Sequence, residues 1–559
     1  MDTHIHGAMV DTGNLGLKKR RLSVATIVFM IYCLCSGGAF GIEEMVSYAG
    51  PGLTLIMLMV LPFVWGTPLG LVAAELGSAR PQEGGYYKWV QEALGEFWGF
   101  QAGWWRTVSV YIDNTLYVIL AAGYVSMVFD IGPVGLFLLK AAIIFTFTFI
   151  NLRGLNDVGI ASTIFSIMVL VAFAMVAIVG FLNWHQNPFL PITADGTVTG
   201  FSGLAFSDWI YYIGMGIAVG MWMYSGYESM STVAGEFEDP QVIPKATLIS
   251  VPLIMATYLL PTIAGLASVG QWDSWGTVGL DSVGYITVLS EYLSPVFAVF
   301  MVAVAVISNV SVYNTYIASG SRGFFCLSED HLAPPFLVKV DKKHGIPYVA
   351  VLSVAVVNLI LCNFAFNVVV VIDVFLFMSG YVLIYISALI LRKKITDEER
   401  KFKIPGGYGF LCVVCVMPMI IAFIAFFING TDYFIGGMVG IISGPVIYFF
   451  WKRKYGGLAM KDETEFPVNK RTGLAIGDLY RMAVIFIWLG VMGTIASFFL
   501  PWFEGSWGND YYFETYGVEG LLDTFLFWIR IGSVIAFVVG AVLFLTAKKL
   551  EPKKERMPV

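Results

Sequence analysis

A few charged side chains fall inside stretches of sequence that are otherwise apolar. Asp113 and its neighbour Asn114 lie in the middle of one stretch, Glu228 lies in another, and Glu43 and Glu44 adjoin in a third. Carboxylates in apolar surroundings can bind a cation or a proton, or they can pair internally and only hold the structure together. We expect Asp113 and Glu228 to line a substrate pathway, and both interpretations stay open for the two adjoining glutamates.

One arginine shares a stretch with the central aspartate. Arg106 lies in the inner half of the same stretch, the third apolar segment of the chain. It could pair with one of the acids. We expect Arg106 to orient these acids.

Two of the apolar stretches are interrupted by glycine. Residues 36–41 read SGGAFG and residues 224–229 read YSGYES. Glycine loosens a helix, and unwound backbone within a membrane is tolerated only where it lines a cavity or is buried in protein. Freed amides and helix ends can then hold an anionic group or an ion. Glycine also lets helices pack closely, but two breaks at equivalent positions favour a binding site between inverted repeats.

The composition indicates the surroundings of these residues. Hydrophobic residues make up 58% of the 559-residue chain, charged residues make up 13%, and the mean hydropathy is +0.77. A bilayer core about 30 Å thick needs roughly 20 apolar residues per helix, and such runs recur along the chain. We therefore predict an all-α integral membrane protein. The polar residues 1–22 precede a run that is too long for a signal-peptide core, so no cleavable signal is expected.

Hydropathy predicts about fourteen membrane helices. The segments are 23–48, 52–76, 97–126, 134–152, 157–182, 209–234, 246–270, 294–322, 348–366, 368–391, 408–428, 433–452, 478–500 and 525–547. Basic residues concentrate in alternate connections, whereas the loops 183–208, 271–293 and 501–524 contain no Lys or Arg. This asymmetry predicts a multi-pass protein of the plasma or inner membrane with both termini in the cytoplasm.

The basic linkers divide the predicted helices into a transport core and an appended region. The predicted parts are a cytoplasmic N-terminal tail (1–22), a ten-helix inverted-repeat core (23–391), a linker with helices 11 and 12 (392–452), a cytoplasmic linker (453–477), helices 13 and 14 (478–547) and a cytoplasmic C-terminal tail (548–559).

Several motifs follow one another in an order typical of one superfamily. They are the residues 36–43, EL at 75–76 with PQEGGYYKW at 81–89, NLRG at 151–154, GYES at 226–229 with GE at 235–236 and PKA at 244–246, and SRGF at 321–324 with LAPPF at 332–336. Across roughly residues 20–450 the chain resembles the amino acid–polyamine–organocation superfamily. Residues 36–43 and 99–114 look most like its polyamine uptake branch.

This resemblance implies a five-plus-five inverted-repeat fold, discontinuous helices 1 and 6, and transport by alternating access. It also implies a gating role for Trp222, an acidic residue at Glu228, and substrate contact at or beside Asn114, by similarity to the arginine/agmatine antiporter. The helices beyond residue 453 depart from the twelve-helix pattern. They are similar in number to those of the fourteen-helix cationic amino acid transporters of the same superfamily.

The predicted substrate site combines backbone amides, carboxylates and aromatic rings. Its residues are Ser36, Gly37, Gly38, Asp113, Asn114, Trp222, Tyr227 and Glu43. The amides of the first break would meet the α-carboxylate of an amino acid, and a cationic end would lie against Asp113 or Glu43. An aromatic face over that cation contributes about 0.5–2 kcal/mol. Glu228 could instead act as a proton-sensitive gate.

The coupling ion stays open between Na⁺ and H⁺. Ser308 and Ser311 could help to hold a sodium ion near the first break, although hydroxyls facing a neighbouring helix are commonplace. The fifth helix has no lysine for proton coupling, and exchange or potential-driven uptake is equally compatible with the sequence. The expected partners are a small-molecule substrate and the lipid bilayer. We expect no cofactor, metal or nucleic acid.

Three functions are compatible with these features. We favour a secondary transporter of a cationic amino acid or polyamine, because the acids within the bilayer are numerous. The first alternative is an exchanger of neutral or anionic amino acids, in which the acids are structural. The second is a sensor of the same fold that binds solute without carrying it. An enzyme is not expected, because no metal-ligand cluster or nucleophile–His–acid set stands out.

Overall fold

The computed structural model describes residues 17–195, 206–276, 284–364 and 366–550, and these residues are predominantly helical. Its α-helices are α1 (Val24–Cys35), α2 (Ile42–Ala49), α3 (Pro51–Leu61), α4 (Thr67–Ala79), α5 (Tyr86–Leu94), α6 (Glu96–Val128), α7 (Pro133–Arg153), α8 (Leu155–Leu182), α9 (Phe206–Met223), α10 (Val242–Ser268), α11 (Tyr285–Tyr292), α12 (Val296–Glu329), α13 (Tyr348–Leu361), α14 (Phe366–Lys394), α15 (Gly407–Ile428), α16 (Thr431–Tyr455), α17 (Asp478–Glu504), α18 (Gly508–Tyr516) and α19 (Leu521–Leu550). Most of the predicted tails 1–22 and 548–559 lies outside the described residues.

Eleven helices of the described part are long and apolar enough to cross a membrane. One of them is the continuous run Pro51–Ala79, in which a π-helical turn joins α3 to α4. All fourteen predicted segments contain helix, but three of them, at 23–48, 209–234 and 348–366, contain only shorter apolar helices. The count of full-length spans is therefore lower than predicted. The first and sixth segments are broken, and the ninth already ends at Leu361.

Sharp joints between consecutive helices use glycine in a conformation that other residues rarely adopt. Gly50, with φ of 93°, ends α2 and directly precedes Pro51, whose fixed φ suits the first position of α3. A Cβ atom at Gly50 would also lie 2.4 Å from the backbone of Thr193. The joint is therefore compatible only with glycine, because both its conformation and its packing exclude a side chain.

The basic connections meet at one end of the bundle, which we call the basic end and define by the clusters 392–394 and 452–454. The side chains of Arg80 and Glu399 form an ion pair there at 2.6 Å, and Lys452 and Glu96 form another at 2.6 Å. Arg20 bonds through its backbone and its side chain to the connections that follow α9 and α12. The beginning of the chain and these distant loops therefore share one face of the protein.

The connection between α16 and α17 is docked onto the basic end. Lys461 of this connection donates to Asp330 at the end of α12 at 2.8 Å, and Lys88 of α5 donates to the same carboxylate at 2.7 Å. Burial alone would raise the pKa of Asp330, but the two ammonium groups hold it well below its ordinary range. Segment 453–477 is thus held against α5 and the end of α12 by a charge cluster.

The outer surface of the bundle suits a lipid environment. Large apolar side chains of α7, α8, α17 and α19 are exposed, for example Phe149, Ile160 and Phe498. Exposed apolar bands of this extent mark a membrane-facing surface. The helices α17 and α19 pack along each other and against α16, so the appended region lies beside the bundle.

Candidate functional site

The first helix is broken where the glycine cluster predicted it. Between α1 and α2, Gly37, Gly38 and Gly41 have φ angles of 63°, 118° and 101°, which residues with a Cβ atom rarely adopt. The amide of Gly38 donates to the Ser36 hydroxyl at 2.9 Å. The Ser308 hydroxyl of α12 donates to the carbonyl oxygen of Gly37. The unwound segment is therefore fixed by its own polar groups and by α12.

The second break follows α9 and is held in the same manner. Gly226 has a φ angle of 102°, and its amide donates to the Tyr381 hydroxyl of α14 at 3.1 Å. The Trp65 indole donates to the carbonyl oxygen of Met221 at 3.0 Å. The last carbonyl groups of a broken helix need such partners, because no water is available within a membrane.

One tyrosine joins the two breaks. The Tyr258 hydroxyl of α10 lies 2.9 Å from the carbonyl oxygen of Cys35 and 2.9 Å from that of Met223. These residues are the last of α1 and of α9. Tyr258 therefore keeps the two unwound segments side by side, and sequence analysis gave no sign of this role.

A cavity of about 110 Å³ lies beside the breaks. Its lining combines aromatic rings, a carboxylate and small polar groups. The lining residues are Cys35, Ser36, Phe40, Gly41, Glu44, Tyr117, Leu120, Tyr124, Ala218, Val219, Trp222, Met223, Ser308, Asn309, Val312, Val374 and Tyr433. Among the described residues that line it there is no Lys or Arg, so its charge is negative wherever Glu44 is ionised.

The cavity lies away from the basic end. Leu120 and Tyr124 belong to the last third of α6, which starts at the basic end, and Glu44 belongs to α2, the second part of the broken first helix. Tyr433 comes from the first turn of α16, which finishes at the basic end. The lining is therefore drawn from the opposite half of the bundle.

An aromatic layer separates the cavity from a carboxylate. The rings of Trp222 and Tyr117 stack at a centroid distance of 5.7 Å, and Tyr117 stacks in turn on Tyr316 at 6.0 Å. The Trp222 indole donates to Asp113 Oδ1 at 3.0 Å, and the Tyr117 hydroxyl donates to Asp113 Oδ2 at 3.5 Å. Asp113 is only 4% exposed and lies directly behind the two rings. A movement of either ring would connect it to the cavity.

A buried ion pair lies next to this aromatic layer, on the side that faces the basic end. The Arg106 guanidinium contacts Glu228 Oε1 through Nη2 at 2.7 Å and through Nε at 2.8 Å. The same guanidinium lies over the Tyr381 ring, 5.2 Å from its centroid. The predicted pairing of Arg106 with an acid is thus present in the structure, and Glu228 is the partner.

The predicted site residues occupy three kinds of position. Ser36, Trp222 and Ser308 line the cavity. Gly37 and Gly38 belong to the break itself, and Glu43 lies in the first turn of α2, where its Oε2 accepts a hydrogen bond from the Gly41 amide at 2.9 Å. Asp113, Asn114, Tyr227, Glu228 and Ser311 lie behind the lining.

Residues in the third group differ in their contacts. Asn114 faces Asn358 of α13 at 3.5 Å, which is the long limit of a hydrogen bond. Tyr227 packs beside Gly66 in the turn between α3 and α4. The Ser311 hydroxyl donates to the carbonyl oxygen of Ser308 at 2.7 Å. None of these side chains is among those that line the cavity.

Sequence analysis also missed Asp373 of α14, a carboxylate that is 1% exposed. It lies six residues into the predicted segment 368–391. The rule that singled out Asp113, an acid within an apolar segment, would also have found it.

The geometry of Gly226 leads to a test of the second break. A Cβ atom there would lie 2.5 Å from the carbonyl oxygen of Leu34, and φ is already unfavourable for alanine. We expect Gly226→Ala to reduce transport at least tenfold, because the two unwound segments would be pushed apart. Gly123→Ala on α6 is the matched control, since nothing lies within 4 Å of its Cβ position. Equal transport by both variants would contradict the close approach of the breaks.

Comparison with protein families identifies the core of the chain. The family model described as amino acid permease matches residues 22–449. An Arabidopsis thaliana protein described as a probable polyamine transporter is 29% identical over 409 residues, covering 72% of this chain and 78% of the relative. The Arabidopsis polyamine transporter RMV1 is 28% identical, covering 80% and 89%.

Other similarities extend beyond polyamine transporters. The branched-chain amino acid permease BcaP of Bacillus subtilis (strain 168) is 27% identical, covering 73% of this chain and 88% of BcaP. Among solved structures, that of MhsT in complex with L-phenylalanine matches with a TM-score of 0.55 and 14% identity, covering 74% of this chain and all of MhsT. The described chain therefore shares the fold of MhsT, and at this identity the match carries no information about substrate.

Proposed function

Because this chain belongs to the amino acid permease family, we propose that it is a secondary transporter that carries a cationic substrate, a polyamine or a basic amino acid, by alternating access. The observation that carries this proposal is the cavity beside the two helix breaks. Glu44 lies in its wall, Asp113 lies behind the Trp222 and Tyr117 rings, and no described Lys or Arg lines it. Such a lining attracts an ammonium group and repels a carboxylate.

The backbone amides of the first break already donate hydrogen bonds within the protein. This also favours a substrate without a carboxylate. The amides of Ser36 and Gly37 donate to the carbonyl oxygen of Tyr32 at 2.8 and 3.2 Å, and that of Gly38 donates to the Ser36 hydroxyl. The α-carboxylate of a neutral amino acid would have to displace these hydrogen bonds. A polyamine needs only carboxylates and aromatic faces. The names of the polyamine-transporting relatives agree with this choice.

The arrangement within the membrane completes the proposal. We infer a five-plus-five inverted repeat, in which α1 with α2 and α9 with its following turn are the broken first helices of the two halves. We place the basic end in the cytoplasm, as the positive-inside rule suggests, with about fourteen helices in all. The cavity then faces the outer side, and the Arg106–Glu228 pair belongs to the closed inner side.

Uptake into proteoliposomes tests this function. The purified full-length protein is reconstituted, an inside-negative potential is imposed, and uptake of radiolabelled putrescine and leucine is compared. We expect putrescine to accumulate and leucine not to. Competition by unlabelled spermidine and arginine then separates polyamines from basic amino acids. Accumulation of leucine without putrescine would favour the neutral amino acid exchanger, and binding without uptake of either would favour a sensor.

Glu44 provides a prediction about the cavity wall. Glu44→Gln removes one negative charge from the lining, and we expect the KM for putrescine to rise about tenfold, equivalent to about 1.4 kcal/mol. Leucine binding, if present, should change much less, since leucine carries no net charge. The matched control is Glu519→Gln, an exposed acid in the connection before α19. An unchanged KM in Glu44→Gln would remove this carboxylate from the site.

A further inference from the structure

Asp373 is an acidic residue of α14 that the proposed transport site does not use. Its side chain is buried, and neither of its carboxylate oxygens has a hydrogen-bond partner among the described residues. An ionised carboxylate without partners costs several kcal/mol at membrane depth. A protonated carboxyl group has no net charge, so its burial costs much less. The isolation of Asp373 is therefore a sign that a proton or another cation belongs there.

The packing of α14 against α6 sets the level of Asp373 in the bundle. The two helices are antiparallel, because α6 begins and α14 ends at the basic end, where Lys394 donates to the Ala93 carbonyl oxygen at 3.2 Å. Gly380 of α14 faces Arg106, with its Cβ position 3.5 Å from the Arg106 side chain. Seven residues further from the basic end, α6 carries Asp113 and α14 carries Asp373.

This register places the two aspartates at one level, two helical turns beyond Arg106, or about 10 Å. Asp373 interacts electrostatically with Asp113 and Arg106, and the Ser109 hydroxyl faces it from the intervening turn of α6 without completing a hydrogen bond. Tyr117, also on α6, is its further titratable neighbour. Among the described residues of α4, α5, α15 and α16, which also pack on α14, no charged group acts on Asp373.

The charges in this region do not balance. Asp113, Asp373 and Glu228 are three acids, and Arg106 is the cation among them, with Glu228 as its direct partner at 2.7 Å. Trp222 and Tyr117 donate hydrogen bonds to Asp113. Among the described residues Asp373 has no ion-pair partner, and the Ser109 hydroxyl does not complete a hydrogen bond to it, so it is the member of the group most in need of a proton.

We infer that Asp113 and Asp373 form a shared proton-binding site, which holds one proton while the cavity is empty and releases it when a cationic substrate arrives. This inference rests on the proposed function. The O–H bond of the carboxyl group breaks, the proton passes to water in the open cavity, and the substrate ammonium takes over its charge. The pair with a proton and the pair with one ammonium group carry the same net charge, so the exchange avoids leaving two uncompensated carboxylates in the membrane.

The exchange has a measurable consequence. Each amine that enters the site expels a proton, and a proton must return before the empty site can reorient. The protein would therefore move protons against the direction of the amine. A substitution of Asp373 should abolish this proton movement, while exchange of one amine for another persists at a higher KM, because that half of the cycle needs no proton.

Asp373→Asn tests this directly, since asparagine has the shape of the protonated acid but cannot release a proton. Full-length protein is reconstituted with a pH-sensitive dye inside the vesicles, and putrescine uptake and the change in internal pH are recorded together. We expect the wild type to make the vesicle interior alkaline during putrescine uptake. The variant should reduce this proton movement at least tenfold, while putrescine–putrescine exchange persists with a higher KM because one carboxylate of the pair is gone. Asp523→Asn, an exposed acid of α19, is the control.

A second measurement needs no variant. Putrescine is added to the purified wild-type protein in weakly buffered detergent solution, and the protons released per bound putrescine are measured with an indicator dye. Release of about one proton supports the shared site, and release of none overturns it even if putrescine is transported. Proton movement of wild-type size in Asp373→Asn overturns it as well. Absence of putrescine binding and transport would instead mean that the proposed function has failed.

Discussion

Asp113→Asn is expected to lower kcat/KM for putrescine uptake by about 100-fold, or about 2.8 kcal/mol. Removing one partner of a buried charge pair costs about 2–5 kcal/mol, and Asp113 is the carboxylate nearest to the cavity behind its aromatic wall. Asparagine keeps an oxygen that can accept the hydrogen bond from the Trp222 indole. The loss should therefore appear in transport while the melting temperature in detergent stays close to that of the wild type.

The matched control for this variant is Asp130→Asn. Asp130 is exposed just beyond the end of α6, so the same chemical change there should leave putrescine uptake within about twofold of the wild type. A full rate of putrescine uptake by Asp113→Asn would remove the carboxylate from the cation site. An equal loss in both variants would indicate a general effect of charge near the entrance.

Arg106→Met is expected to destabilise the protein by about 3–5 kcal/mol, the cost of leaving a buried acid without its cation. Glu228 would lose its partner, and Asp113 and Asp373 would lose the nearest positive charge. Glu228→Gln should cost clearly less, because Arg106 retains two further acids in electrostatic range. The stability of both variants is measured by thermal unfolding in detergent, with the fraction of protein that stays monodisperse as the readout.

This asymmetry distinguishes a charge cluster from a simple ion pair. An isolated pair would give similar losses whichever partner is removed. The control is Arg153→Met. Arg153, at the end of α7, forms an exposed ion pair with Asp157 in the first turn of α8, and such pairs contribute about 0–1 kcal/mol. Equal destabilisation by Arg106→Met and Glu228→Gln would contradict the cluster and would weaken the case for a proton at Asp373.

Hydropathy and glycine patterns predicted much of the architecture because the membrane makes both signals strong. Every predicted segment contains helix, and the breaks at 36–41 and after Met223 occur where glycine was clustered. The superfamily was also evident, because its motifs are short and lie at the two helix breaks and in the connections at the basic end. What the patterns did not show is that the helix of the ninth segment already ends at Leu361.

The inner arrangement of the site depended on packing that a single sequence does not reveal. Glu43 and Glu44 are neighbours, yet only Glu44 lines the cavity, because adjacent positions of a helix point about 100° apart. Asn114 is turned towards Asn358 for the same reason, although Asp113 beside it faces Trp222. The level of Asp373 followed only from the antiparallel register of α6 and α14. Tyr258 joins two carbonyl groups that are far apart in sequence.

The most direct test of a cationic substrate is the charge that moves with it. Wild-type proteoliposomes adsorbed on a solid-supported membrane are exposed to a rapid jump in putrescine concentration, and the transient current is recorded. We predict a current that carries positive charge into the vesicles, that is absent after a leucine jump and that is nearly abolished in Asp113→Asn. Putrescine has two positive charges, so exchange for one proton still leaves a net current. If the protein carries labelled leucine and gives no current with putrescine, the proposal of a cationic substrate is contradicted. The assignment to the family and the description of the fold would still stand.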